Sequence, residues 1–210
     1  GEAYREYRRA HSLLDYDDLL FELEALLRGE ADDPGLAEYM RDCHSHIMVD
    51  EYQDTNRVQA RIVRLLAGER GNVLAVGDDA QSIYAFRGAD VRNILEFPTL
   101  FPETRLIRLE ENYRSRRPVL DVANAVLAGA REGFCKTLFT RREESAPPRP
   151  VRLVRPLSDL TQAVVVAGRI EALLAEYKPC EIAVLFRAGY QSYHLEVALA
   201  KRGIRFRKYG

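Results

Sequence analysis

The sequence predicts an α/β fold built around a buried parallel sheet. Short, continuous apolar runs alternate with segments of helical spacing, and three of those runs end in a polar cluster. A strand covered by helices on both faces reads as a continuous apolar run, which is how strands of a parallel sheet appear. In open α/β sheets, ligands bind beyond the carboxyl ends of the strands. The three polar clusters are therefore the candidate site.

The elements follow in order. The first segment, to about Arg28, has helical spacing, with Leu13, Leu14, Leu19, Leu20, Leu23, Leu26 and Leu27 recurring near every 3.6 residues. Asp15, Asp17 and Asp18 complement the positive end of a helix beginning there. Residues 29–35, with Asp32-Asp33-Pro34-Gly35, form a turn-rich break. Ile47-Met48-Val49 is the first strand, and residues 56–67 form a helix with Val58, Ile62, Val63, Leu65 and Leu66 on its apolar side. Val73-Leu74-Ala75-Val76 is the second strand, ending at Gly77-Asp78-Asp79. Leu106-Ile107-Arg108-Leu109 is the third, ending at Glu110-Glu111-Asn112. The charged, proline-rich residues 141–150 read as a surface loop. Beyond them lies a second α/β unit. Its strands are Val151-Arg152-Leu153-Val154, residues 182–186 and Ile204-Arg205-Phe206. One helix carries Leu160, Val164, Ala167, Ile170, Leu174 and Tyr177 on one face, and another spans residues 191–202.

Composition narrows the function classes. Hydrophobic residues at 47% suffice for a core, yet no run approaches the ~20 apolar residues of a membrane span. The net charge of −1 gives no whole-chain basic footprint, so any nucleic-acid contact must be local. Cys43, Cys135 and Cys180 are odd in number and lack CxxC spacing; they read as reduced, unpaired thiols of a cytosolic protein. His11, His44, His46 and His194 have no metal-ligand spacing and read as surface or structural. Without an initiator Met or signal-peptide character, the chain reads as a piece of something longer.

The first cluster, Val49-Asp50-Glu51-Tyr52-Gln53-Asp54, has the form of a Walker B motif, an apolar strand carrying adjacent carboxylates to its end. One carboxylate can hold the magnesium that bridges nucleotide phosphates, and its neighbour can activate a water. Asp54-Thr55-Asn56 can also cap the following helix. In the second cluster, Gln81 offers an amide to a phosphate. Tyr84 and Phe86, with Arg87, offer faces on which unpaired bases stack at about 1–3 kcal/mol per base.

The full string Asp-Glu-Tyr-Gln-Asp-Thr-Asn at 50–56 resembles motif II of UvrD/Rep/PcrA-type superfamily 1 DNA helicases. Residues 76–89 are similar to motif III, although Ala85-Phe86-Arg87 stands where the family commonly has Gly-Trp-Arg. Leu109-Glu110-Glu111-Asn112-Tyr113-Arg114-Ser115 resembles motif IV. Residues 14–20 and 182–206 also resemble the family, so the likeness covers essentially the whole chain.

The resemblance implies a RecA-like P-loop NTPase fold, a parallel sheet flanked by helices. Residues 1–115 would be the C-terminal part of the first motor domain, with the end of subdomain 1B at the N-terminus. Residues 116–210 would begin the second, stopping near the 2B insertion. It implies Asp50 and Glu51 as Mg2+ and catalytic residues, Gln81 and Arg114 at the γ-phosphate of ATP, and Tyr113 against adenine. Tyr84, Phe86 and Arg87 would contact single-stranded DNA, and Gln53 and Asp54 would couple the segments. The implied activity is 3′-to-5′ translocation on single strands and at single-strand/duplex junctions, driven by ATP, in cytoplasmic DNA repair or replication beside proteins of those pathways.

No GxxxxGK[ST] occurs in the 210 residues. That loop cradles phosphates and supplies their counter-charge, so the chain alone is expected to hydrolyse ATP negligibly and to risk self-association through open apolar surface. A RecB/AddA-like helicase–nuclease subunit and a degenerate, non-hydrolysing binding module are the alternative readings.

Overall fold

The computed structural model describes residues 2–30, 33–142 and 149–209 and divides the chain into two compact units, Gly1–Arg149 and Pro150–Gly210.

Capping chemistry sets the helix boundaries of the first unit. The leucine-rich start is two helices, α1 (Glu2–Ala10) and α2 (Tyr16–Leu27), with Ser12 between them at φ +53°. Asp15 accepts the Asp18 N–H at 2.9 Å, and Asp18 accepts the Asp15 N–H at 2.9 Å. An N-cap residue has extended backbone, so this capping box interrupts the expected continuous helix. Leu13 and Leu14 consequently stay exposed. The break at Gly29 (φ +79°) is shorter than expected, because a further helix, α3 (Pro34–Cys43), begins inside it. Asp33 caps α3 through the Gly35 N–H, and Pro34 occupies the first turn, where its missing donor costs nothing. Ala31 and Asp32 lie outside the described residues.

The first two expected strands form and pair in parallel. β1 (Ile47–Val49) lies beside β2 (Val73–Ala75), with Met48 opposite Leu74. The crossover helix α4 (Arg57–Ala67) is capped by Asn56, reciprocally with Gln59. Ala60 of α4 is buried with Tyr52, Ile94 and Phe97, the last two from the short helices α5 (Arg92–Leu95) and α6 (Phe97–Leu100). The Tyr52 ring meets Phe97 edge-on at 5.3 Å. Elsewhere on α4, Arg61 clamps the buried Glu24 of α2 through two bonds, 2.6 and 2.9 Å.

The third run differs from expectation. Residues 106–109 form no strand, and Leu109 is 83% exposed. A strand is held by its neighbour's ladder, and no segment of the described residues pairs with this one. Pairing begins just beyond, in an isolated parallel bridge between Glu111 and Phe139. That bridge flanks α7 (Arg117–Leu127). The runs 151–154, 182–186 and 204–206 likewise carry no ladder among the described residues. Even β1 and β2 are covered on one face only, since Met48 and Leu74 are exposed.

The second unit is a helix pair. α8 (Asp159–Leu173), capped by Ser158, packs on α9 (Tyr193–Lys201) through Ala163, Ala167, Ile170, Leu195, Ala198 and Leu199. The expected face of α8 is correct at Ala167, Ile170 and Leu174, but Leu160 and Val164 point outward. Ala163 and Val166 take their places, completing an i, i+3, i+4, i+7 line. Residues 143–148 of the expected surface loop lie outside the described residues. No described helix is long and apolar enough to cross a membrane.

Candidate functional site

β1 delivers Asp50 and Glu51 to its carboxyl end, both exposed. Glu51 adopts left-handed backbone, φ 50° and ψ 44°. For a residue with a Cβ this costs about 1–2 kcal/mol, and it turns the chain sharply back on itself. Tyr52 then donates its N–H to the Val76 carbonyl at 2.9 Å and drops its ring into the core. Burial pushes the Tyr52 phenol above its ordinary pKa. Asp50 accepts the Glu51 N–H at 2.9 Å.

Gln53 is the centre of the arrangement, with only 1% of its surface exposed. Its Nε2 donates to Glu51 Oε2 at 2.7 Å, and its Oε1 accepts the Asp78 N–H at 3.0 Å. Its carbonyl accepts from Ser82 Oγ at 3.4 Å. One side chain thus joins the acidic pair after β1 to the segment after β2. The approach is so close that a Cβ on Gly77 would lie 2.5 Å from Gln53 Oε1. The other expected coupling residue, Asp54, buries its Oδ1 without a hydrogen-bond partner among the described residues.

After β2, Asp78 gathers three donors: the Ala80 N–H at 3.1 Å, Gln81 Nε2 at 2.7 Å and the Lys136 ammonium. Lys136 also donates to Asp79 Oδ1 at 2.9 Å. Burial raises the Asp78 pKa, but the Lys136 and Gln81 bonds outweigh it and hold the carboxyl below its usual range. For Lys136, burial is likewise outweighed by its two carboxylates, which hold the ammonium above its usual range.

The segment continues into the expected aromatic group. The Tyr84 and Phe86 ring centroids are 6.0 Å apart, and the Arg87 guanidinium lies 5.2 Å from the first and 5.5 Å from the second. Phe86 is 78% exposed, leaving a ring face open to a planar ligand. The loop is docked rather than loose. The Thr55 carbonyl accepts from the Asp90 N–H at 3.0 Å and from the buried Asn93 amide at 2.8 Å. Arg57 pairs with Asp90 at 2.7 Å.

In the third cluster, Asn112 Oδ1 accepts the N–H groups of Arg114 (3.0 Å) and Ser115 (2.7 Å), fixing the turn. Tyr113 is exposed beside Glu111, whose carboxylate pushes the phenol upward. The Arg114 side chain is exposed and makes no ion pair or hydrogen bond with the described residues. The structure therefore joins Glu51, Gln53, Asp78 and Gln81 in one network and groups Tyr84, Phe86 and Arg87, while Tyr113 and Arg114 stand apart.

Among the described residues no three His, Cys, Asp or Glu side chains cluster as a metal cage. Magnesium does not require one, since it typically takes one or two carboxylates and completes its shell with waters and phosphates. The exposed Asp50–Glu51 pair fits that donor set.

Lys136, Gly77 and Asn93 are the positions that sequence reasoning missed. The adjacent acids Asp78 and Asp79 signal a need for counter-charge, but nothing local points to a lysine nearly sixty positions downstream.

Comparison with known proteins agrees with the motif order. Residues 1–102 match the UvrD/REP helicase N-terminal domain, and residues 107–210 match the UvrD-like helicase C-terminal domain. The chain is 38% identical over its full length to DNA helicase II of Escherichia coli, covering 28% of that protein. It is 40% identical to the ATP-dependent DNA helicase UvrD1 of Mycobacterium tuberculosis, again over its full length and 28% of the relative. A probable DNA helicase II homolog of Rickettsia felis is 37% identical, with 99% of this chain and 32% of the relative aligned. The chain thus spans under a third of the curated relatives it matches, and with the two family domains together matching nearly all of its residues it belongs to the UvrD-like helicase family.

Proposed function

We propose that this chain supplies the central part of an ATP-dependent motor that translocates 3′ to 5′ on single-stranded DNA and unwinds duplex in DNA repair or replication. Residues up to about 115 would belong to a first RecA-like motor domain, and the remainder would begin a second. The observation carrying this reading is the buried Gln53, bonded to Glu51 on one side and to the Asp78 backbone on the other. It joins the acidic pair to the segment that anchors Gln81, and Thr55 docks the loop following Tyr84, Phe86 and Arg87 beside them.

Each residue then has a task. Asp50 and Glu51 hold Mg2+, which when bound neutralises phosphate charge during transfer. Glu51 orients and deprotonates the attacking water from the turn that its left-handed backbone creates. Gln81 exchanges its Asp78 bond for a γ-phosphate oxygen, so its position reports nucleotide state. That exchange reaches Tyr84 and Phe86 within a few residues and alters their grip on stacked bases. Arg114 supplies positive charge to the same phosphate, and Tyr113 stacks on the adenine.

The 210 residues contain no phosphate-cradling GxxxxGK[ST] loop, so binding rather than turnover is the property to measure on this chain. Fluorescence anisotropy with a labelled oligo-dT strand should register binding that Phe86→Ala weakens about 5- to 150-fold, the equivalent of 1–3 kcal/mol of stacking. Equal binding by the wild-type chain and Phe86→Ala would remove the DNA assignment. DNA-stimulated ATP hydrolysis by the chain alone would overturn the account of what the absent loop contributes. The open faces at Met48 and Leu74 support self-association of the isolated chain.

A further inference from the structure

The sequence motifs leave residues 133–139 without a role, yet this stretch touches two of them. Gly133, at φ +141°, lies so near Asp79 that a Cβ would fall 2.4 Å from Asp79 Oδ2. The next N–H, that of Phe134, donates to the same oxygen at 3.2 Å, and Phe134 packs against the Tyr52 core. Lys136, its side chain only 15% exposed, then reaches both Asp78 and Asp79.

The following residues turn to the third cluster. The Thr137 N–H donates to Glu110 Oε1 at 2.6 Å, and the Phe139 N–H donates to the Glu110 carbonyl at 3.0 Å. The Asn112 N–H donates to the Phe139 carbonyl at 2.7 Å. Between them, Leu138 exchanges two bonds with the Asn124 side chain of α7, at 2.8 and 2.9 Å. One extended strap is therefore bonded to the Asp78–Asp79 head of the sensor segment and to the Glu110–Asn112 base of the arginine segment.

We propose that Lys136 is a positioning residue of the motor, and that the 133–139 strap couples the Gln81 sensor to the Arg114 turn. Asp78 holds Lys136 on Oδ1 and Gln81 on Oδ2. A carboxylate fixed from one side by an ammonium presents its other oxygen in a defined direction, and Gln81 takes its resting orientation from that oxygen. At the other end of the strap, the same Asn112 that pairs with Phe139 fixes the backbone of Arg114 and Ser115. Movement of either phosphate-directed residue is thus felt at the other through seven residues of bonded backbone. Lys136 acts through Asp78 and has no place at the nucleotide itself, because both carboxylates occupy its ammonium. The inference rests on the assignment of Gln81 and Arg114 to one phosphate, but its test needs neither nucleotide nor DNA.

The test uses the 210-residue chain labelled with 15N, comparing Lys136→Met and Lys136→Arg with wild type. In Lys136→Met, the Gln81 side-chain amide resonances should move, and amide exchange at residues 112–115 and 134–139 should accelerate about tenfold or more, as expected for loss of hydrogen bonds to charged groups. Exchange in α8 and α9 should be unchanged. Lys136→Arg, which keeps the charge, should restore the Gln81 resonances. If Lys136→Met does not fold, Asp78→Asn gives the second reading, since it leaves the Asp79–Lys136 pair and should still move Gln81. An unmoved Gln81 in the variant examined, or faster exchange confined to residues 134–139, would overturn the proposal while leaving the motor reading intact.

Discussion

Gly77→Ala is a single-methyl perturbation aimed at the contact on which the site depends. An ideal Cβ at this position would lie 2.5 Å from Gln53 Oε1, 2.7 Å from Ile94 Cδ1 and 3.2 Å from the Tyr52 backbone nitrogen. The Ile94 side chain can rotate, but the other two neighbours cannot yield freely. Moving the Gln53 amide breaks its 3.0 Å bond to the Asp78 N–H and disturbs its 2.7 Å bond to Glu51. Moving the backbone stretches the 2.9 Å bond from Tyr52 to Val76. Overpacking costs about 1–3 kcal/mol, and one lost buried hydrogen bond adds about 1 kcal/mol. The expected destabilisation is therefore on the order of 2–4 kcal/mol. At roughly 2–4 °C per kcal/mol for a chain of this size, Tm should fall by about 4–16 °C. Thermal melting by circular dichroism measures the shift, and the Gln53 side-chain amide resonance reports whether the clamp has moved. A variant melting with wild type and keeping that resonance would refute the close-approach argument.

Three further outcomes are expected. Glu24 is buried between Arg61 and Arg28, and the Arg61 bond chiefly holds its pKa below the usual carboxylate range. Its stabilising contribution is present at neutral pH and disappears as pH falls below ~4.3 and through the lowered value. Glu24→Gln should lower the urea midpoint at pH 7 and flatten its acid dependence; parallel pH profiles would dismiss the pair. At Glu51, both Ala and Gly remove the carboxylate, but only Gly relieves the left-handed strain, so Glu51→Gly should be about 1 kcal/mol more stable than Glu51→Ala by urea unfolding. Equal stability would mean that the turn is not strained. Gly168 sits inside α8 with nothing within 4 Å of its virtual Cβ, so Gly168→Ala should stabilise by about 0.5–1 kcal/mol. A lowered melting temperature would contradict that helix packing.

The legible parts of this chain were those whose chemistry is local. Asn56 announces its helix because a capping side chain needs only the next three residues, whereas Asp15 was legible only as charge beside a helix start. The Tyr84–Phe86–Arg87 group was readable because all three sit on one turn. Strands are different. β1 and β2 found each other across a short crossover, whereas residues 182–186 are as apolar in sequence and, like residues 106–109, carry no ladder, because strand formation depends on a neighbour. Lys136 was unreadable for the same reason, since its meaning lies in two carboxylates nearly sixty positions away.

Gln53 shows why the link between the two acidic segments takes the form of an amide. At 1% exposure, the position must satisfy an acceptor on one side, Glu51 Oε2, and a donor on the other, the Asp78 N–H. Leucine would fill the space but strand the Asp78 N–H at about 1–3 kcal/mol, while the exposed Glu51 carboxylate would turn to water. Glutamate would accept from Asp78 but set a second carboxylate against Glu51, and lysine would serve Glu51 but repel the Asp78 N–H. A neutral side chain with one donor and one acceptor meets both demands without adding charge beside the acids. Under the proposed function the same amide also links the two segments mechanically. If Glu51 swings toward a metal or a water it releases Nε2, and an amide freed at that end can rotate only by loosening its hold on Asp78. Asp78 is where Gln81 is anchored, so under the proposed function a change at the carboxylates reaches the Gln81 amide through a single rotatable group.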